Sequence, residues 1–451
     1  MRGGTVCLLC ILLAAVAMAQ PAAAPPPQRL PDLGTPLRLT PDAAAQLAVT
    51  RSTQIAISEQ QVISARGQLR EVRAATKLHV DGSASYTRSG PATTFELAGD
   101  EGGQTIEFSP TTSHLETIEI TLPIYTGGRL KFATRAARAG IAAAEHGGLA
   151  TAVQTAITAR QAVYAVLRLQ QLVVVSEQQL TAVAEHLRIA RVMFDAGTAP
   201  RFEVVQAETE LAQARGDVIH ARTAVAQQQA VLTQLLLAPQ GTEIITEEGV
   251  PPQLPDGDRQ ALIGMALQGR PEISVQEATV RAREALVRLA QAQDDPSVAV
   301  VGQLNNQSAS VASASFSWSV TAALTVPLYT GGEKEAKVIQ ARADLQMARL
   351  NLESVQQQIA LQVTQALLSV DDGREALAVA EQGETEARER LRIAQVRFTN
   401  GVGLGVEVLD AQTALAAAQT QVVNARYDLQ VATATLRATL GLADLPKESG
   451  S

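Results

Sequence analysis

The run Leu122-Pro-Ile-Tyr-Thr-Gly-Gly128 recurs 204 residues later as Val326-Pro-Leu-Tyr-Thr-Gly-Gly332, and Leu187-Arg-Ile-Ala190 recurs at the same offset as Leu391-Arg-Ile-Ala394. Residues 187–214 and 391–418 share 14 identities in 28 positions. The chain is therefore two copies of one unit, and any fold must place each element twice. A single core is excluded on size as well, because compact cores stop growing near roughly 250–300 residues and this chain has 451. The copies differ near their starts. Ile55 to Pro123 spans 68 residues and Ile273 to Pro327 spans 54, so about fourteen extra residues fall between Gly90 and Ser113, a Gly, Thr and Ser-rich stretch that reads as a loop.

Each copy reads in the same order. The first, 41–238, opens with a helix over about 41–75, continues as a β-hairpin over about 76–124, a long helix over about 129–195 and a helix over about 201–237. The second, 258–442, has a helix over about 258–293, a hairpin over about 297–328, a long helix over about 333–398 and a helix over about 406–440. Residues 239–257, with four prolines, link the copies, and 443–451 form a tail. At 1.5 Å per residue, the 67 residues from Arg129 to Asp195 make a helix on the order of 100 Å long. The flanking helices are each about half that length. Stacked end to end they match it, and a tube wall of alternating long and paired short helices follows.

Coiled-coil seams support that packing. Val338, Ala341, Leu345, Ala348, Leu352, Val355, Ile359 and Ala366 step by three and four, interrupted only at Gln362. The last helix repeats the pattern at Ala411, Leu415, Ala418, Val422, Ala425, Leu429, Ala432 and Leu436, and the first copy at Ala207, Leu211, Ala214, Val218, Ala221 and Val225. Alanine beside a larger residue lets helix axes approach closely. It also accounts for only 13 aromatic residues in the chain.

The first 19 residues read as a signal peptide: an apolar run from Val6 to Ala17, then Ala17-Met18-Ala19 before Gln20. Both cysteines, Cys7 and Cys10, fall inside it, which leaves the mature chain without disulfides, thiol chemistry or Cys-ligated metal. Cys10 lies near the start of the apolar run, where a lipid anchor is not expected. Residues 20–40 are a Pro-rich lead-in. No later stretch reaches the ~18 apolar residues of a spanning helix, so membrane passage requires strands.

The hairpins suit that role. Phe316, Trp318, Val320, Ala322, Leu324 and Val326 alternate with small, mostly polar residues over about ten positions, the pattern of an outer-membrane barrel strand. Leu78, Val80, Gly82, Ala84 and Tyr86, and Ile118, Ile120 and Leu122, alternate likewise. Seven aromatics, Tyr86, Phe95, Phe108, Tyr125, Phe316, Trp318 and Tyr329, lie in these regions, as a membrane-interface belt requires. Two hairpins on a soluble core would show the same alternation. Four strands cannot close a barrel, two chains give the eight-stranded minimum, and three give about twelve strands with a usable pore.

These features resemble the TolC-type outer-membrane efflux protein family over essentially the whole mature chain. The resemblance rests on the duplicated plan, the Pro-(Ile/Leu)-Tyr-Thr-Gly-Gly junction, and Arg397-Phe-Thr-Asn-Gly401 leading to Glu407-Val-Leu-Asp-Ala411 and Asn424-Ala-Arg-Tyr427. It implies a mainly α homotrimer: a twelve-stranded barrel in Gram-negative outer-membrane lipid, continued by a periplasmic helical tunnel. Its closed end would open to a periplasmic adaptor (membrane fusion) protein and an inner-membrane RND, ABC or MFS pump, in drug efflux or type I secretion. Glu407 and Asp410, three apart on one helix face, would form two stacked acidic rings in a trimer, with Glu203 and Gln206 in the first copy. The family places constricting carboxylates at these matching positions, and Arg426 matches a position that could hold a neighbouring helix. The tips Asp195 to Arg201 and Thr399 to Gly405, with Gly197, Asn400 and Gly401, are where the family meets its adaptor. Gly403 stands where some members carry a latching arginine, and Phe398 where a tyrosine occurs.

Other chemistry finds no support. No Lys-Ser/Thr follows the Thr-Gly-Gly junctions, so they are not phosphate loops. His79, His114, His146, His186 and His220 form no metal-binding spacing, Asp217 and His220 lack partners, and no Gly-x-Ser-x-Gly occurs. No cofactor, metal or catalytic residue is expected. A charge of −8 without a basic stripe argues against nucleic acid. Two competing readings are a trimeric adhesin, whose strands would lie together at the C-terminus, and a soluble periplasmic coiled-coil scaffold.

Overall fold

A computed structural model describes residues 37–90, 94–97, 104–107, 112–239, 241–250, 254–255, 257–308 and 314–442. Residues 1–19, read above as a signal peptide, most of the lead-in, Phe108 and the tail 443–451 lie outside them, as does the side chain of Phe95. The first copy contains β1 (Leu37–Leu39), α1 (Pro41–Arg51), α2 (Thr53–Ala74), β2 (His79–Arg88), β3 (Thr94–Leu97), β4 (Gln104–Glu107), β5 (Thr112–Tyr125), α3 (Arg129–Asp195) and α4 (Arg201–Leu235). After β6 (Ile244–Thr246) come α5 (Arg259–Gly269), α6 (Pro271–Gln291), β7 (Ser297–Ser308), β8 (Ala314–Thr325), α7 (Glu333–Thr399) and α8 (Gly405–Thr439).

The duplication is metrical. Helices α3 and α7 each have 67 residues and begin 204 apart, and α4 and α8 each have 35 at the same offset. Helices α1 and α5 begin 218 apart, from Pro41 to Arg259, so fourteen residues are inserted between. That insert is not a plain loop: β3 and β4 pair antiparallel within it, Phe95 opposite Ile106. The leading helices also differ from the single segments expected. Each is broken, at Ser52 (ψ 126°) and at Arg270 (ψ 127°), into an 11-residue helix and a longer one. Pro271 forces the second break, because the residue before proline is driven to extended backbone. Ser52 turns its hydroxyl to the Gln54 N–H and caps α2.

Arg270 also explains the interrupted seam of α7. Its guanidinium donates to Gln362 and to both carboxylate oxygens of Glu272, so the polar residue in the stripe anchors the broken helix. Elsewhere the seams hold, with Ala159, Ala207 and Ala411 fully buried.

The helices form one layer. Helix α3 packs between α2 and α6 in its strand-proximal half and between α4 and α8 near the turns, and α7 packs on α6 and α8. The sheet continues that order as β2-β5-β7-β8, all antiparallel. Register gives it two faces. Val80, Ile120, Gly302 and Val320 form one row, and Asp81, Glu119, Gln303 and Ser319 the next, on the opposite face. Gln303 Nε2 donates to Glu119 at 2.9 Å within the polar row. Both layers end in open edges: β2, α2 and α4 on one side, β8 and α7 on the other.

The linker contributes structure of its own. Strand β6 pairs in parallel with β1, and this ribbon lies in the groove of α3 and α4, with Leu39 and Ile244 buried on Val163, Leu167, Leu232 and Leu236. Tyr427 of α8 donates its hydroxyl to Glu248 at 2.7 Å just beyond β6. Burial and the Glu248 hydrogen bond hold the Tyr427 phenol well above the usual tyrosine range.

Candidate functional site

Two helical turns, at the end of the layer farthest from the sheet, carry the residues of interest. Gly197 and Gly401 both adopt φ 74°, a left-handed conformation that lets each chain reverse after a long helix. In the first turn the Thr198 N–H and hydroxyl both donate to Met193 O, at 2.9 and 3.0 Å. In the second, the Val402 and Gly403 N–H groups both donate to Arg397 O at 3.0 Å. A Cβ at Gly403 would lie 3.0 Å from both Arg397 Cβ and the Phe398 nitrogen. A side chain here would be tight, although the twin turn holds Ala199 at the same place, its N–H on Met193 O at 3.3 Å. Asn400 donates its amide to Val396 O at 2.7 Å, and Asp195, Arg201 and Asn400 are exposed.

Next to each turn an ion pair joins long helix to short: Arg191 to Glu208 at 2.6 Å, and Arg397 to Glu407 at 3.1 Å. Glu407 is therefore not a free carboxylate. Asp410, one turn on, is exposed and forms no ion pair among the described residues. Glu203 is half-buried and points across to the other hairpin, its Oε2 lying 3.5 Å from where a Gly405 Cβ would sit. A carboxylate there faces the positive end of α8. Arg426 is not part of this constellation. It lies 19 residues beyond Glu407 on α8, about 28 Å along the axis, beside Arg374 of α7.

An apolar knot joins the two tips. Phe398 (6% exposed), Ala394, Val408 and Ala411 pack against Ile189, Met193 and Leu391. Phe398 sits 5.6 Å from the ring of His186, so a tyrosine hydroxyl is replaced here by an aromatic contact. His186 is 4% exposed, and burial pushes its pKa down. Gln412 is buried beside it, with Nε2 on Ala182 O at 3.4 Å and Oε1 without a hydrogen-bond partner. Sequence reading did not reach His186 or Gln412, because neither belongs to a motif. Their only signal is a polar residue at a position where the seams are otherwise apolar. The tips also expose Phe202 (72%), Val402 (70%) and Leu404.

At the opposite end, Tyr86, Tyr125, Phe316, Trp318 and Tyr329 are all exposed, with Tyr86 4.9 Å from His114. Phe316, Trp318 and Val320 share the apolar face of β8. No described helix is long and apolar enough to cross a membrane, and no described group of His, Cys, Asp or Glu has the arrangement of a metal site.

The fold and the repeat have counterparts. The solved structure of CusC superposes with a TM-score of 0.76 at 20% identity, covering 89% of this chain and 92% of that one. The outer membrane protein VceC of Vibrio cholerae gives a TM-score of 0.73 at 20% identity, over 89% and 96%. In sequence, the outer membrane efflux protein BepC of Brucella suis is 27% identical over 280 residues, 61% of this chain, and the match spans 60% of that relative's length. The family model for outer membrane efflux proteins matches residues 44–236 and 262–442, one segment for each copy of the unit. The chain belongs to the outer membrane efflux protein family.

Proposed function

We propose that three copies of this chain close into a twelve-stranded barrel in the outer membrane, continued by a helical tunnel in the periplasm. The assembly serves as the passive exit duct of an efflux or type I secretion system. The observation that carries this reading is the seam between the two repeats. Strand β5 pairs with β7, Thr121 opposite Val301. Shifting β5 by 204 and β7 by 218 turns that internal seam into a contact between β8 and the next copy's β2, with Thr325 opposite Ser83. The same shifts convert the β2–β5 register, His79 with Thr121, into the β7–β8 register, Ser297 with Thr325. The open edges are therefore complementary head to tail, and such contacts make a ring when the rotation from copy to copy closes, as the curl of a barrel sheet provides. A dimer would give eight strands, a barrel whose interior side chains fill, whereas a trimer leaves a pore.

The face with Val80, Ile120 and Trp318 then meets lipid, and the row Asp81, Glu119, Gln303 and Ser319 lines the lumen. The apolar tips with Phe202, Val402 and Leu404 suit a periplasmic adaptor, and an inner-membrane RND, ABC or MFS pump would supply the energy. Membership in the family and the relatives' names as efflux channels support these partners, and no catalytic step is assigned to the chain. The test is a chain with Ser83→Cys and Thr325→Cys. Oxidation of outer membranes should yield covalent trimers that conduct ions in a planar bilayer. Uncross-linked monomers, or a covalent dimer as the end product, would overturn the assembly.

A further inference from the structure

The groove between α3 and α4 has a twin 204 residues on, between α7 and α8, and among the described residues only the first is filled. In the first, β1 and β6 cover the floor, with Leu39 and Ile244 buried and the Thr246 hydroxyl donating to Gln170 at 3.1 Å. In the second, a cavity of about 860 Å³ stands open, floored by Leu367, Val370, Leu429 and Leu436. Two substitutions between the repeats open it: Leu39 becomes Gly257, and Leu167 becomes Asp371.

The chemistry of the hollow groove is specific. Gln170, the acceptor for Thr246, is replaced by Arg374, a donor. Arg222, held by Glu177 at 2.7 Å, is replaced by Arg426, which forms no ion pair among the described residues. Among the described residues Asp371 is the one carboxylate lining the cavity, and it pairs with Arg374 at 3.7 Å. Ala226 is replaced by Gln430, whose Oε1 is buried without a hydrogen-bond partner. An apolar floor and two guanidinium groups, one of them shared with Asp371, define an occupant. We propose that this groove docks an extended peptide from a second polypeptide, seated as β6 is seated in its twin. It would carry an apolar side chain at the Ile244 position and a carboxylate two residues later, where Thr246 sits. Charge complementarity to Arg374 and Arg426 selects the carboxylate. The proposal does not depend on the channel reading.

The test uses the detergent-extracted full chain and two fluorescein-labelled octapeptides copying residues 242–249, one with Thr246→Asp and one with Thr246→Lys. Anisotropy should show the Asp peptide binding about tenfold more tightly or better. Arg374→Gln with Arg426→Gln should abolish that preference. Gly257→Leu should block both peptides by refilling the cavity. A leucine fits there, since a Cβ at Gly257 meets nothing closer than 3.6 Å. Equal binding of the two peptides, or undiminished binding to Gly257→Leu, would overturn the proposal. So would binding that appears only after residues 443–451 are removed, which would make the chain's own tail the occupant.

Discussion

Gly403 shows how one residue sets the shape of the tip. Because a Cβ there would come within 3.0 Å of Arg397 and Phe398, Gly403→Ala and Gly403→Arg should both strain the turn, by about 1–3 kcal/mol. Faster amide exchange over 394–411 in both variants would confirm a steric cause, whereas an effect confined to Arg would point to charge. The acidic residues divide their work differently from two equivalent rings. Glu407 is neutralised in part by Arg397, so Asp410→Asn should lower cation selectivity more than Glu407→Gln, read as reversal potentials in a salt gradient. His186 adds a pH response. Its pKa is lowered from an ordinary value of 6.5, so the unfolded chain takes up the proton first. Stability is full above the ordinary value and declines as pH falls through it toward the depressed folded value. Local unfolding at the tips should therefore increase between about pH 7.5 and about 5.5 in the native chain, and much less in His186→Leu. The carboxylates were legible as residues, but the partner of Glu407 was not. Arg397 lies ten positions away across a turn, and no helical spacing connects them.

At the scale of elements, the long helices were legible because glycine pairs mark their starts and, in the second, an apolar seam steps by threes and fours from Val338 to Ala366. The hairpin alternation likewise named the strands. The breaks at Ser52 and Arg270 were hidden, because the apolar period continues through them and the interruption at Gln362 has its cause on another helix. Proline 271 was the available signal. Arg270→Ala should leave Gln362 without its donor in a half-buried seam and loosen the junction of α5 and α6 from α7, at a cost of about 1–3 kcal/mol. Thermal unfolding would measure that cost, and Gln362→Leu in the same chain should recover most of it. The ribbon of β1 and β6 was illegible for a different reason. Three-residue strands carry no period, and their stability comes from the groove beneath them.

For the whole molecule, the open edges and the two-faced sheet make insertion sensitive to a single charge on the apolar face. Val320→Lys, midway along β8, should cost about 2–4 kcal/mol in membrane stability. Heat-modifiable migration of the trimer would report the loss. The matched lengths of α3 and α7, and of α4 and α8, bear on how such a chain can change over evolutionary time. A single inserted residue rotates everything beyond it by about 100° and misaligns the seam with its neighbours. Seven residues nearly restore the facing and add about 10 Å, but only if both helices of each hairpin, in both repeats, gain them together. Reach is therefore quantised in heptads, and natural length variants of this architecture should differ by whole sets of four matched insertions, not by scattered single ones.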